Sequence, residues 1–243
     1  NISMEDCRQH FLEHYRKGKK YLIFACNLDR VDVLSHLKNW ENVFPDKMRD
    51  DASSEQLIPV SSEPKTLNIN MDVGTIEVSR AIPLPKTLNL APWKMDFISY
   101  ILGKSPNSIL FKILREKYGL AYDAHTRSYH FSDYYLFILY FGLTDAKNLD
   151  RAIGITDDIL SNISSYLSEE KLELFKKAFK EQYLMNSDNL FTFSRSLLFH
   201  ALADQPLHPD TLFQHISQLT LQDIENILST YLNPKAFSKV IIR

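Results

Sequence analysis

The chain has 243 residues, 44% of them hydrophobic and 24% charged, with a formal net charge of −2. This is the composition of an ordinary globular protein; it makes no electrostatic case for nucleic acid and holds no apolar run long enough to span a membrane. Six isolated glycines exclude a glycine-rich phosphate loop, and two cysteines, Cys7 and Cys26, are too few for a disulfide framework and are expected as small buried side chains.

Asn1 to Asp6 are polar and helix-capping, with no signal peptide visible, and a start at Asn1 rather than Met suggests a piece of a longer protein. Ser3 and Asp6 form a capping box for a first helix with Phe11, Leu12 and Tyr15 on its apolar side and Gly18 at its end. Tyr21 to Ala25 reads as a short strand buried on both faces. Asp29 starts a helix with Val33, Leu34, Leu37 and Trp40 at helical spacing, stopped by Pro45. The polar stretch 46–65 reads as a surface loop inside a single domain, 1–243. Strands follow at Leu67 to Val73 and Thr75 to Leu84, the second punctuated by Pro83 and Pro85. Pro92 then opens a helix carrying Met95, Ile98 and Ile101.

The centre of the chain switches from one periodicity to another. Ile109, Leu110, Ile113 and Leu114 repeat at helical spacing, with Ser105 as the expected cap, Pro106 in the first turn, Lys117 in the last, and Gly119 as a left-handed stop. From Leu120 to Tyr129 the period is two; Asp133 marks a turn and Tyr134 to Phe141 reads as a second strand. Arg115 leaves the helix and Tyr122 leaves the strand, so the junction can aim a cation and a phenol at one place. Four helical segments remain legible in the C-terminal part. They begin at Thr144 or Asp145, at Ser168, around Phe193, and at the Thr220/Asp223 capping box; Lys239 to Ile242 closes the chain as a strand. Lys176, Lys177 and Lys180 make a basic helix face expected in solvent. Antiparallel hairpins with helices between and after them predict an α+β layer architecture.

These central residues carry a resemblance. Leu102-Gly103, Ser108, Leu110-Phe111, Leu114-Arg115-Glu116-Lys117 and Gly119-Leu120-Ala121-Tyr122 resemble the signature of the insulinase/pitrilysin-type (mitochondrial-processing-peptidase-like) zinc metallopeptidases. The similarity runs from about Ser3 to Ile242 and is to the non-zinc C-terminal domain. Where the family often has a glycine run this chain has Gly103-Lys104-Ser105-Pro106, and Ile109 stands where arginine is common. The resemblance implies an antiparallel sheet covered on one face by helices, forming one half of a clamshell around a peptide.

His10-Phe11-Leu12-Glu13-His14 is a literal H-x-x-E-H, which in this family is the zinc site: two histidines ligate the metal and the glutamate activates a water. A catalytic zinc needs a third protein ligand, and where the resemblance places a glutamate this chain has Pro85 to Trp93 and no acid; Glu77 falls in a strand and Glu116 lies far on. Around the motif, Tyr15-Arg16-Lys17-Gly18, Leu22-Ile23-Phe24-Ala25 and Asn27-Leu28-Asp29 resemble the opening helix and strand of the non-zinc domain, whose helix has no metal role. The expectation is therefore no catalytic residue, no metal and no cofactor in this chain, with zinc in a partner half. The resemblance assigns Arg115 and Tyr122 to substrate binding. His10, Glu13 and His14 as an independent zinc peptidase site, and an inactive scaffolding or regulatory subunit, stay as alternatives. Expected partners are a zinc-bearing N-terminal half or partner subunit and a peptide substrate, with no nucleic acid and no membrane span. The chain is expected to be soluble, with its compartment open between cytoplasm and periplasm.

Overall fold

The computed structural model describes residues 2–16, 21, 23, 26, 30–38, 63–71, 74–88, 90–131, 133–202 and 209–243. Contacts divide the chain into two units, Asn1–Ile58 with Ser187–Leu198, and Pro59–Asn186 with Phe199–Arg243.

In the first unit, Ser3 caps helix α1 (Met4–His10) through the expected reciprocal box: Ser3 Oγ accepts from Asp6 N, and Ser3 N donates to the Asp6 carboxylate at 2.8 Å. The turn widens into a π-wound segment, Phe11–Arg16, and α2 follows at Arg30–Lys38. No residue of α1 is buried, so Cys7 is exposed rather than buried as composition suggested; Cys26 is exposed too. Of the expected Tyr21–Ala25 strand only Tyr21 and Ile23 are described, neither in a strand; Gly18, Asp29, Trp40, Pro45 and nearly all of the polar loop fall outside the described residues.

The second unit is built on a five-stranded sheet in the order β1-β5-β2-β4-β3, with β1 Thr66–Ile69, β2 Ile76–Pro85, β3 Ala121–His130, β4 Tyr134–Leu143 and β5 Ser238–Ile242. All pairings are antiparallel except the outer β1–β5 pair. β5 pairs with β2 only from Glu77 to Ala81, so Pro83 and Pro85 lie beyond it, where a missing N–H leaves no ladder bond unmade on that side. One sheet face is buried: Val78, Ile82, Phe137, Leu139 and Phe141 pack with Met95 and Ile98 of α3 (Pro92–Ser99), Ile159 and Leu160 of α4 (Leu149–Ser161), Leu172 of α5 (Glu169–Ser187), and Ile224 and Leu228 of α8 (Leu221–Tyr231). The other two helices of the C-terminal part are α6 (Leu190–Leu202) and α7 (Pro209–Ser217). Sequence reading passed over α7, although Pro209 in its first turn and Leu212, Phe213 and Ile216 at helical spacing signal it. The Thr220/Asp223 box is present as expected.

Two local expectations are corrected, and one buried charge is new. The central helix begins at Ile109, after a turn, and the hydroxyls of Ser105 and Ser108 are buried without a partner, so neither caps by its side chain. The basic face on α5 is not uniformly solvated: Lys176 is 10% exposed, donating to Glu173 Oε1 at 2.5 Å and to the Ser217 carbonyl at 3.2 Å. Its aliphatic stem is covered by packing while its ammonium finds local acceptors. Finally, the α+β sheet has a charge in its core. Arg80, on the buried face of β2, is fully enclosed and reaches Asp157 Oδ1 at 2.5 Å, Thr156 Oγ1 at 2.5 Å and the Pro234 carbonyl at 3.1 Å, with its guanidinium 5.2 Å from the Phe237 ring.

Candidate functional site

The central junction is held by two glycines for two different reasons. Gly103 lies in the π-wound extension of α3, Tyr100–Lys104, and a Cβ there would stand 2.3 Å from the Thr126 backbone nitrogen. Only a glycine lets this helix lie directly on β3. Gly119 has φ 60°, the left-handed conformation that ends the central helix. That helix is π-wound over Phe111–Lys117, with Tyr118 N bonding back five residues to the Ile113 carbonyl at 3.1 Å. Its exit is one residue wider than a usual glycine stop: Leu120 N bonds the Leu114 carbonyl at 2.8 Å.

Immediately afterwards β3 carries a bulge. Ala121 pairs with Leu143 and Asp123 with Gly142, leaving Tyr122 as the extra residue. A bulge re-aims a side chain without breaking the sheet, and Tyr122 is 72% exposed between a buried Ala121 and the ladder. It meets Arg115 there: the guanidinium lies 5.3 Å from the Tyr122 ring centroid and 4.8 Å from that of Phe111, one turn earlier on the helix. The two residues named from sequence are thus brought together, and Phe111, at i−4 from Arg115, joins them. Sequence reading had Phe111 in the motif but gave it no part in the site; its i−4 spacing from Arg115 was the available signal.

Among the described residues neither Arg115 nor the Tyr122 hydroxyl makes a hydrogen bond or ion pair. The neighbouring acid, Glu116, is engaged by Lys112 at 2.9 Å. The guanidinium lies over two rings, and its N–H donors make no hydrogen bond among the described residues. Beside it stands a phenol with a free O–H. Such a pair can grip a peptide carbonyl or a negative charge developing on oxygen.

The H-x-x-E-H residues lie in the first unit. His10 and His14 have ring centroids 4.4 Å apart, and Glu13 accepts from Gln9 Nε2 at 3.0 Å. No group of three or more His, Cys, Asp or Glu is placed to hold a metal among the described residues. The acids considered as a third ligand are engaged elsewhere, Glu77 by Tyr140 and Thr75, Glu116 by Lys112. Burial and the Glu77 hydrogen bond push the Tyr140 phenol up to about 12. On β3, His125 contacts Asp123 at 3.0 Å and His130 contacts Asp96 at 3.2 Å. Burial raises the Asp96 carboxyl, but the bond and charge from His130, the Ser128 hydroxyl and Lys104 together outweigh it and hold it below the usual carboxylate range. His215 stacks on Trp93 at 5.5 Å.

An antiparallel-dominated sheet with one face covered by helices is the half-clamshell fold of this class of peptidase domain. A sequence profile described as the peptidase M16 inactive domain matches residues 1–179, and the chain belongs to that family. A protein of Rickettsia felis described as an uncharacterized zinc protease is 22% identical over 240 residues, covering 96% of this chain and 57% of its own. Among solved structures, a peptidase M16 inactive domain from Pseudomonas fluorescens superposes with a TM-score of 0.75 at 14% identity, over 99% of this chain and 57% of that one. A protease from Helicobacter pylori superposes at 0.71 with 17% identity, over 89% and 53%. The chain spans just over half the length of these relatives. No described helix is long and apolar enough to cross a membrane.

Proposed function

We propose that this chain, acting as one unit from 1 to 243, is the substrate-holding, non-catalytic half of a zinc-dependent endopeptidase, and that it works on peptides together with a zinc-bearing half in the same polypeptide or a separate subunit. The observation that supports this reading is the Arg115–Tyr122 pair, stacked face to ring with its donors free. Zinc in the other half supplies the activated water. This chain's own contribution is orientation and charge: the Arg115 guanidinium and the Tyr122 hydroxyl reach toward the scissile carbonyl and hold the oxygen as negative charge grows on it.

The test is turnover of the enzyme reconstituted from both halves. Arg115→Ala and Tyr122→Phe are each expected to lower turnover by roughly a hundredfold, in the range of a lost oxyanion donor, while stability shifts by less than about 0.5 kcal/mol because both groups are exposed. Near-normal turnover in both variants overturns the reading in favour of a scaffolding subunit. Stoichiometric zinc in the purified chain, lost on His10→Ala or His14→Ala, overturns it in favour of an independent metal site.

A further inference from the structure

The cation–ring pairing at this junction does not stop at Arg115. Tyr118, the last residue before Gly119, is 39% exposed and is flanked by two more cations. Lys117 Nζ lies 5.1 Å from its ring centroid, and the Arg151 guanidinium, from the first turn of α4, also lies 5.1 Å away. At this helix end three rings, Phe111, Tyr118 and Tyr122, each have a cation within 5.3 Å of the centroid. Among the described residues no carboxylate lies within ion-pair distance of Arg115, Lys117 or Arg151: Glu116 is held by Lys112, and Asp145 accepts from the Lys147 backbone. These three cations are therefore not ion-paired among the described residues, in a chain whose net charge is −2 and with Glu116 and Asp150 as their sequence neighbours.

We propose that Lys117, Tyr118 and Arg151 form a subsite, continuous with Arg115 and Tyr122, that takes a carboxylate of the bound peptide. This rests on the peptide-holding reading above and adds to it a specificity: peptides bearing an acidic side chain or a free C-terminal carboxylate are preferred over neutral ones. The ring of Tyr118 offers apolar area to the peptide stem, and Lys117 and Arg151, each beside that ring, offer the cations with which a carboxylate would pair. Two sources share this chemistry, a side chain and a chain end, and Arg151, fixed on a helix, suits either with its planar fork.

The experiment is an NMR titration of the isotope-labelled chain at low salt with three acetylated tetrapeptides: Ala-Leu-Ala-Ala amide, Ala-Leu-Ala-Ala with a free carboxylate, and Ala-Leu-Glu-Ala amide. At least one carboxylate-bearing peptide is expected to bind about fivefold tighter than the neutral amide, as for one or two exposed charge pairs, and to move the Nε–H signal of Arg151. Which of the two gains names the source. In Lys117→Gln/Arg151→Gln the ratio falls to about one, and 0.5 M salt has the same effect. Equal affinity of all three peptides, or a preference that survives in the double variant, overturns the proposal. A ten-nucleotide single strand that moves the same signal and binds tighter than every peptide also overturns it and reassigns the patch. Arg115→Ala run alongside separates the two ideas: a uniform loss across the three peptides bears on the holding site, whereas a change in their ratio bears on the subsite.

Discussion

Two arginines of this chain, Arg80 and Arg115, sit in opposite physical situations. Arg80 points into the core from the middle of the sheet, and its guanidinium is engaged by Asp157, Thr156, the Pro234 carbonyl and the Phe237 ring. Arg115 stands at the end of a helix, held by ring faces and bound to no acceptor. A buried charge left without its partners is strongly destabilising, so Arg80 reads as architecture, tying β2 to α4 and to the turn before β5. An exposed charge costs little to leave free, and one that is nevertheless oriented, with its donors open, is available to a ligand. The contrast separates residues that hold the fold from residues the fold presents.

The sharpest test of the buried side is asymmetric. Asp157 is 40% exposed, so Arg80→Met leaves a carboxylate that water can reach, whereas Asp157→Ala leaves a fully enclosed guanidinium without its counter-charge. Asp157→Ala is expected to cost about 3 kcal/mol, lowering Tm by about 6–12 °C, and Arg80→Met distinctly less, by urea denaturation and calorimetry. If the order is reversed, the pair is held by packing rather than by charge. On the presenting side, Gly119→Ala forces an L side chain into the left-handed stop and is expected to cost about 1 kcal/mol, with Gly119→Asn milder. Because Gly119 sets the exit angle, Arg115 and Tyr122 should part, which a lost Arg115–Tyr122 ring-current shift in NMR would report.

Removing one of the two stacking faces is a smaller perturbation. Phe111→Leu is expected to weaken peptide binding by about two- to fivefold, the worth of one exposed cation–ring contact, with Phe111→Tyr close to the parent and melting unchanged. Equal binding by Phe111→Leu would show that Tyr122 alone orients the guanidinium. The smallest effect is confined to acid. Asp96 is held below its ordinary value of 3.8, so its contribution to stability is present above that pH and is lost as pH falls through the depressed value. Melting curves of the parent and of Asp96→Asn should therefore differ at pH 5 and draw together as the pH is lowered well below 3.8.

Much of this was legible in the sequence because it is local. The capping boxes at Ser3/Asp6 and Thr220/Asp223, the glycine stop at Gly119, the two long central strands and the meeting of Arg115 with Tyr122 all follow from spacing and from the chemistry of a few neighbouring residues. The parts that were misread depend on what a segment packs against. Ser105 sits before an apolar helix and looks like a cap, yet the helix starts three residues later; Cys7 looks like a core residue, yet α1 presents it to solvent; Lys176 looks solvated, yet α7 covers its stem.

The residues alone determined most of the elements around the central junction, since helix caps, strand alternation and a glycine stop are written within one or two turns of chain, and the motif there carried the resemblance that named the family and the pair Arg115 and Tyr122. Only the tertiary structure decided that Arg80 is a buried tie and Arg115 a free one, that a bulge turns Tyr122 outward, and that Arg151, 29 positions beyond Tyr122, joins Tyr118. The reason is physical: whether a charge is enclosed or open depends on which distant segments close over it, and a composition or a period carries no record of that.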